Sequence, residues 1–297
     1  MGMSDRREPE ETVTFSRRNE LPGVEIRTVS NTRRTWSCYS ADFEFIVPTS
    51  WCGEIRYRDR SVIIEPGTVF CAYPGEVFSA RRVLRGGSAR AVTIEPKVLY
   101  EAIAEHGLSP SDLELPTCVK LSAGVQTALL TLFDVIGPEA TPLRLETVFH
   151  EFVDVMVREL VGHARTGAQV GKGAGDDRAS EYVRRRLEED ADAKVDLTLL
   201  ARETNLSRFQ AIRAFKQRYG LPPHTYQLRV RLALAKQSLR AGVAPAQVAA
   251  DYGFVDQSHL SRHFKRLTGI TPVQYARIGS EASRELASRF APRSRLG

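Results

Sequence analysis

Cysteine is scarce in this chain of 297 residues, and histidine is missing from its first 95 positions. The four cysteines, Cys38, Cys52, Cys71 and Cys118, show neither close pairing nor histidine partners at metal-ligand spacing. We therefore expect reduced, partly buried thiols, with no metal site and no other cofactor.

Long apolar runs are also absent. No segment approaches the uninterrupted apolar length that crosses a bilayer. Residues 1–20 are charged and lack the apolar stretch of a secretory signal. These absences predict a cytoplasmic protein without a membrane partner, whose residues 1–20 are disordered.

Charge is divided unequally along the chain. Residues 178–297 hold 22 Lys and Arg against 11 Asp and Glu, whereas residues 1–177 hold 20 against 25. A basic helical segment attracts a polyanion, because each phosphate that it neutralises releases condensed counterions. Residues 166–177 contain four glycines and almost no apolar side chain, which predicts a flexible linker between two domains.

The basic segment contains an internal repeat with a period of 49 residues. Seven identities recur at this spacing, and apolar positions between them also match. The identical pairs are Ala201 with Ala250, Arg213 with Arg262, Phe215 with Phe264, Lys216 with Lys265, Gly220 with Gly269, Pro223 with Pro272 and Tyr226 with Tyr275. The repeat predicts two copies of one small structural unit.

Each copy has the pattern of a helix, a tight turn and a second helix with basic residues on its outer face. In the first copy, Asp196 and Ser207 stand where they can cap the two helices. In the second, Pro245 opens the first helix, Gly253 supplies the turn and Asp256 caps the second helix. We therefore expect two helix-turn-helix units in residues 178–279, followed by a tail at 280–297.

Residues 21–165 show the pattern of a small antiparallel β domain followed by helices. Short segments rich in β-branched and aromatic residues are separated by Pro-Gly and Gly-Gly turns, which favours a barrel or sandwich. The predicted strands are 24–29, 43–47, 54–57, 61–65, 69–73, 77–81 and 89–95. The predicted fold class is α+β with two domains: a small antiparallel β-barrel with a helical hairpin, and then an all-α tandem helix-turn-helix domain.

The helical hairpin consists of two amphipathic segments, 124–136 and 143–164, after a shorter helix that Pro96 opens. The pair either covers one open face of the barrel or leaves an apolar stripe that packs on the same stripe of a second chain. The second alternative predicts a homodimer through these helices.

The second copy, GFVDQSHLSRHFKRLTGITPVQY at 253–275, resembles the signature of the AraC/XylS transcription regulators. The first copy, SRFQAIRAFKQRYGLPPHTY at 207–226 with RLALA at 231–235, is similar to that family's first unit and connecting helix. The resemblance covers about 177–278. It implies two lobes beside a connecting helix at about 222–240, which enter successive major grooves of double-stranded DNA roughly 10 bp apart. RNA polymerase is a further partner that it implies.

The resemblance also assigns roles to residues of the two second helices. The positions that would reach base edges are Phe209, Ile212, Arg213, Gln257, Ser258, Ser261 and Arg262. Those that would hold phosphates are Ser207, Lys216, His259, Lys265 and Arg266. The base-reading roles have alternatives: Phe209 and Ile212 could be core residues, and Arg213 and Arg262 could pair with a neighbouring carboxylate.

Residues 21–165 are similar, more loosely, to the cupin-type domain that many of these regulators use for effector binding and dimerisation. The likeness depends on the strand rhythm and on the turns at 66–67 and 74–76. The candidate pocket residues for a small-molecule effector are Trp36, Tyr39, Phe43, Phe45, Trp51, Arg56 and Tyr57.

Three functions follow as hypotheses. The first is a ligand-modulated transcription factor. The second is a cysteine-based redox or alkylation sensor, although none of the four thiols stands in an obvious low-pKa setting. The third is a cupin enzyme fused to a DNA-binding domain, and the missing histidine cluster argues against its metal-dependent form.

Overall fold

A computed structural model describes residues 10–58, 60–109, 118–120, 122–136, 140–164, 178–193 and 195–278. The predicted linker at 166–177 and tail at 280–297 lie outside these residues, as do positions 1–9 of the predicted disordered start. The strands are β1 (Thr12–Arg17), β2 (Val24–Thr32), β3 (Trp36–Ser40), β4 (Phe43–Pro48), β5 (Cys52–Tyr57), β6 (Arg60–Ile64), β7 (Thr68–Ala72), β8 (Glu76–Arg85), β9 (Gly87–Ile94) and β10 (Cys118–Lys120).

The described strands form two antiparallel sheets rather than one closed barrel. The larger sheet has the order β1-β2-β9-β4-β7-β10, and the smaller has the order β3-β8-β5-β6. The expectation of a barrel is therefore corrected to a sandwich of six and four strands. All seven predicted strands are present, but β1, β3 and β10 were not predicted, and β1 occupies part of the segment that was expected to be disordered.

The larger sheet is covered on both faces, as its central strand shows. Every residue of β4 is buried. Phe43, Phe45 and Val47 belong to a core shared with helices, whereas Ile46, one position out of phase, belongs to a core shared with the smaller sheet. Because side chains alternate along a strand, this division assigns one face to each layer.

Three helices cover the first of these faces: α1 (Pro96–Ala104), α2 (Ala123–Val135) and α3 (Pro142–Ala164). Their apolar positions, including Leu132 of α2 and Phe152 of α3, are buried against the sheet. Leu130 and Leu143 stay exposed, the latter with 74% of its surface accessible. The covering role that was expected of the hairpin is therefore filled within one chain.

The remaining helices form the carboxyl-terminal region. They are α4 (Arg178–Glu189), α5 (Leu197–Glu203), α6 (Arg208–Tyr219), α7 (Pro223–Arg240), α8 (Pro245–Asp251), α9 (Gln257–Thr268) and α10 (Pro272–Arg277). Helix α7 contributes to two small cores, one with α4, α5 and α6 and one with α8, α9 and α10. Two helix-turn-helix units therefore stand on either side of a shared helix.

The period of 49 holds for the second helix of each unit but not for the first. Helix α9 begins 49 residues after α6, whereas α8 begins 48 residues after α5. Buried Ala201 accordingly corresponds to buried Ala249, and Ala250, its partner in the sequence repeat, is exposed. The turn of the second unit is one residue longer, and this extra residue restores the register in α9.

Two further observations concern the described part of the chain. None of its helices combines the length and apolarity needed to traverse a bilayer. Its histidine, cysteine and acidic side chains form no group that could hold a metal ion.

Candidate nucleic-acid interface

The second helices of the two units, α6 and α9, begin and end in the same way. The Ser207 hydroxyl accepts from the Gln210 amide at 3.2 Å, in a capping box. The Asp256 carboxylate accepts from the His259 amide at 2.6 Å. Both helices end at a left-handed glycine, Gly220 or Gly269. These matched ends place equivalent residues of the two helices in equivalent positions.

Helix α9 divides sharply into a buried and an exposed side. Leu260 and Phe264 have no accessible surface and belong to the core of the second unit. The predicted DNA-contacting residues lie outside this core. Those that are exposed are Gln257, Ser258, Arg262, Lys265 and Arg266, and those that are half-buried are Ser261 and His259. A polar and cationic surface therefore follows the outer side of this helix.

Helix α6 presents a similar surface with a more apolar start. Phe209 is 74% exposed, so the alternative that it is a core residue is wrong. Ser207, Arg213 and Lys216 are exposed, and Ile212 is half-buried. An exposed phenyl ring beside a guanidinium group can contact a thymine methyl while the guanidinium bonds to a base edge.

The two repeated arginines, Arg213 and Arg262, are exposed. Among the described residues, neither has a carboxylate within ion-pair distance. The basic residues of α4 differ: Arg184 pairs with Glu181 and Glu188, at 2.5 and 2.7 Å. Because these acids already neutralise Arg184, it offers a polyanion less charge than Arg213 and Arg262 do.

His263 lies among the cations of α9, and its surroundings favour the neutral imidazole. Burial lowers its pKa, and the adjacent His259 and Arg266 lower it further. Its ring contacts that of His259 with centroids 4.6 Å apart. The Nδ1 atom of His259 accepts from the Val255 amide at 3.3 Å. A neutral His259 would then carry its proton on Nε2, where it can donate to a phosphate.

A separate cavity of about 70 Å³ lies between the two sheets. Two of the predicted pocket residues, Trp36 and Trp51, line it. Its charged lining consists of Glu11, Arg27, Arg34 and Arg90. Leu267 and Thr268, in the last turn of α9, form part of the wall. The cavity therefore touches both the sheets and the second helix-turn-helix unit.

The other predicted pocket residues do not line this cavity. Tyr39 packs against Tyr226 of α7, with ring centroids 5.7 Å apart. Arg56 donates to the Gln217 carbonyl at 2.9 Å. Phe43 and Phe45 belong to the core on the helix side, and Tyr57 belongs to the core between the sheets. The three lining arginines were not predicted, and no sequence signal distinguishes them, because strand pairing decides which side chains meet.

Comparisons with known proteins agree with this architecture. A family described as a helix-turn-helix domain matches residues 200–278. The HTH-type transcriptional regulator YbfI of Bacillus subtilis is 28% identical over 204 residues, which cover 68% of this chain and 73% of that protein. The arabinose operon regulatory protein of Escherichia coli is 32% identical over 104 residues, 35% of this chain and 34% of that protein.

Two more matches show how much of the chain resembles known proteins. The probable transcriptional regulator LumQ of Photobacterium leiognathi is 38% identical over 90 residues, 30% of this chain and 36% of that protein. A crystal structure of an apo ToxT variant from Vibrio cholerae aligns with a TM-score of 0.51 and 14% identity, covering 88% of this chain and 99% of that one. The second match shows a common fold, and the chain spans about a third of LumQ and of the arabinose regulator.

Proposed function

We propose that this chain, whose carboxyl-terminal third belongs to the AraC/XylS type of helix-turn-helix transcriptional regulators, reads two neighbouring major grooves with α6 and α9. The proposal rests on two matched helices with exposed cationic sides. Because the two units are copies of one another, a unit that can enter one major groove implies that its copy can enter the next. Phe209, Arg213, Gln257 and Arg262 would contact base edges, and Lys216 and Lys265 would hold phosphates.

Selection from a pool of random duplexes by the full chain tests this function. We expect a site of two short, unlike motifs about 10 bp apart, because each unit covers one groove and successive grooves lie one helical turn apart. The affinity should fall steeply with salt, in proportion to the number of phosphates contacted. Binding that is indifferent to sequence, or enrichment of one motif alone, would contradict paired reading.

We further propose that the cavity between the sheets holds a small-molecule effector that carries an acidic group. Three arginines line it against one glutamate, and each is already paired with a carboxylate: Arg27 with Glu44, Arg34 with Glu11 and Arg90 with Asp134. An acidic ligand would share these guanidinium groups with their present partners. Within the described residues, the buried Trp51 Nε1 and Arg90 Nε have no hydrogen-bond partner. Buried donors without acceptors are unfavourable, so a ligand with carboxylate oxygens would be stabilised here.

A panel of small carboxylates, each paired with its neutral amide, tests the ligand class through the thermal midpoint of the full chain. We expect carboxylates to raise Tm more than their amides. A ligand at 100 times its Kd adds about 2.7 kcal/mol to the unfolding free energy. Trp51→Phe removes the indole donor while keeping an aromatic ring, and it should reduce the shift. Equal shifts with amides would refute an acidic ligand.

The cysteine-sensor alternative has less support. Burial raises the pKa of the Cys38 thiol to about 11, with a further increase from Glu44. Cys71 is buried and, like Cys38 and Cys52, is not part of a disulfide. A buried thiol of raised pKa reacts slowly, because the thiolate is the nucleophile. We therefore propose a regulator without catalytic or thiol chemistry.

Dimerisation through 124–136 and 143–164 stays a proposal. Among the described side chains of these helices, the exposed large apolar residues are Leu130 and Leu143, and most of the others are buried within the chain. Stable homodimers bury a larger apolar area than two leucines provide. RNA polymerase is a further proposed partner, by analogy with the family.

A further inference from the structure

The two helix-turn-helix units contain equivalent tyrosines, Tyr226 and Tyr275, that are bound in equivalent ways. Each ring packs edge-on against the phenylalanine of its second helix, with centroids 5.3 Å apart for Phe215 and 5.4 Å apart for Phe264. Each hydroxyl donates to a carboxylate. Tyr226 donates to Glu188 at 2.6 Å, and Tyr275 donates to Glu25 at 2.5 Å.

The two carboxylates come from different parts of the chain. Glu188 belongs to α4, within the helical domain. The corresponding positions of the second unit, 48 or 49 residues later, are Lys236 and Gln237 of α7, so this unit has no carboxylate of its own there. Glu25 belongs to β2 of the larger sheet, and its Oε1 lies 2.6 Å from Lys236 Nζ. The sheet therefore supplies the acid that the second unit lacks.

Neighbouring residues of the β1–β2 hairpin complete the same contact. Phe15 packs edge-on against the Tyr275 ring at 5.3 Å, and the Arg17 guanidinium donates to the Tyr275 carbonyl at 2.5 Å. Phe15 also belongs to the periphery of the second unit's core. The β1–β2 hairpin thus binds the tyrosine of the second unit as α4 binds the tyrosine of the first.

The Glu25 carboxylate has no accessible surface. Burial alone would raise its pKa, but Lys236 and Arg240, together with hydrogen bonds, hold the pKa below its usual value. Removing one member of a buried charged cluster leaves the others without compensation. The contact between hairpin and second unit should therefore open as a whole when Glu25 loses its charge.

The cavity lies beside this contact. In the register of the hairpin, Phe15 pairs with Arg27 and Val13 with Val29, on the face that carries Glu25. Val13, Arg27 and Val29 line the cavity. Val13 also lies so close to Gly269, at the end of α9, that a Cβ added there would be 2.7 Å from its Cγ2. One face of the hairpin thus lines the cavity and also contacts the second unit.

We propose that Glu25 is a positioning residue that docks the second helix-turn-helix unit on the larger amino-terminal sheet. The equivalent tyrosine of the first unit is bound by a carboxylate of its own α4, and the smaller sheet contacts that unit through Tyr39 and Arg56 instead. The β1–β2 hairpin then sets the position of α9. A displacement of the residues that line the cavity should therefore alter the position of the second unit more than that of the first. The recognition side of α9 stays exposed in this arrangement, so docking fixes its position without covering it.

Hydrogen exchange of the full chain tests the proposal with a matched pair, Glu25→Gln and Glu188→Gln. Each variant removes a carboxylate that binds one tyrosine and a neighbouring cation: Arg184 for Glu188, and both Lys236 and Arg17 for Glu25. We expect Glu25→Gln to speed exchange about tenfold or more in β1 and in α10, on both sides of the contact. Glu188→Gln should speed exchange in α4 and α6 and leave β1 unchanged, and Glu25→Asp should restore part of the protection.

Unchanged protection of β1 in Glu25→Gln, or the same response in both variants, would overturn the proposal. If Glu25→Gln fails to fold, Tyr275→Phe compared with Tyr226→Phe repeats the test, because each removes only a hydroxyl and keeps the ring. The measurement contains no DNA, so its failure would leave the groove-reading function untouched.

Discussion

Replacing Phe264 with alanine is expected to unfold the second helix-turn-helix unit. The side chain has no accessible surface and packs against Tyr275 within a core of small area. Truncating a buried phenylalanine removes about 3–5 kcal/mol from the free energy of unfolding, because a cavity remains where the ring was. The free energy of unfolding of so small a unit is only a few kcal/mol, so it should not remain folded after that loss of stability. Urea unfolding followed by circular dichroism measures the change.

Two further variants set the scale for this result. Phe215→Ala makes the equivalent truncation in the first unit, where the ring is also fully buried, and should have an effect of similar size. Val255→Ala removes an apolar side chain that is 86% exposed, and should change stability by less than about 0.5 kcal/mol. If Phe264→Ala unfolds at the same urea concentration as Val255→Ala, the second unit does not have the core described above.

Local signals in the sequence were enough to predict the helix-turn-helix units. Asp196, Ser207 and Asp256 cap their helices as their residue types and positions suggested, and Pro245 opens α8. Such signals act within four residues of chain, so they are readable without knowledge of tertiary contacts. The one-residue difference between the first helices was not readable, because it depends on which alanine faces the core.

The strands show where sequence reasoning fails. In β2, Val24 and Ile26 alternate with Glu25 and Arg27, a pattern typical of a strand with one face in water. That charged face is instead covered, by α7 and α10 at Glu25 and by the cavity at Arg27. The helices that bury Glu25 are about 200 residues or more away in sequence, so no local pattern could reveal it.

The pocket prediction failed for the same reason. Aromatic residues were chosen because such side chains often line ligand sites, but Phe43 and Phe45 point towards the covering helices. Trp36 and Trp51 do reach the cavity, and the arginines that give it its chemistry come from β2, β9 and the segment before β3. Which strand faces are brought together is a property of sheet order, which the sequence alone does not reveal.

Removing both repeated arginines, with Arg213→Ala and Arg262→Ala, should nearly abolish sequence-specific binding while leaving the fold intact. Each guanidinium that bonds to a guanine edge contributes about 1–3 kcal/mol of discrimination. The two belong to different units, so their losses should add to about 2–6 kcal/mol. Titration of the selected duplex and of a scrambled one, with each single variant and the double variant, measures the discrimination.

Lys265→Ala is the matched control, because it removes a charge from the same helix at a position proposed to hold a phosphate. It should weaken binding to selected and scrambled duplexes alike and reduce the slope of log K against log salt by about 0.9. The arginine variants should lose mainly the preference for the selected duplex, since a base contact adds sequence information and a phosphate contact does not. Should Arg262→Ala weaken both duplexes equally, α9 would lie against the DNA backbone instead of reading bases through this arginine.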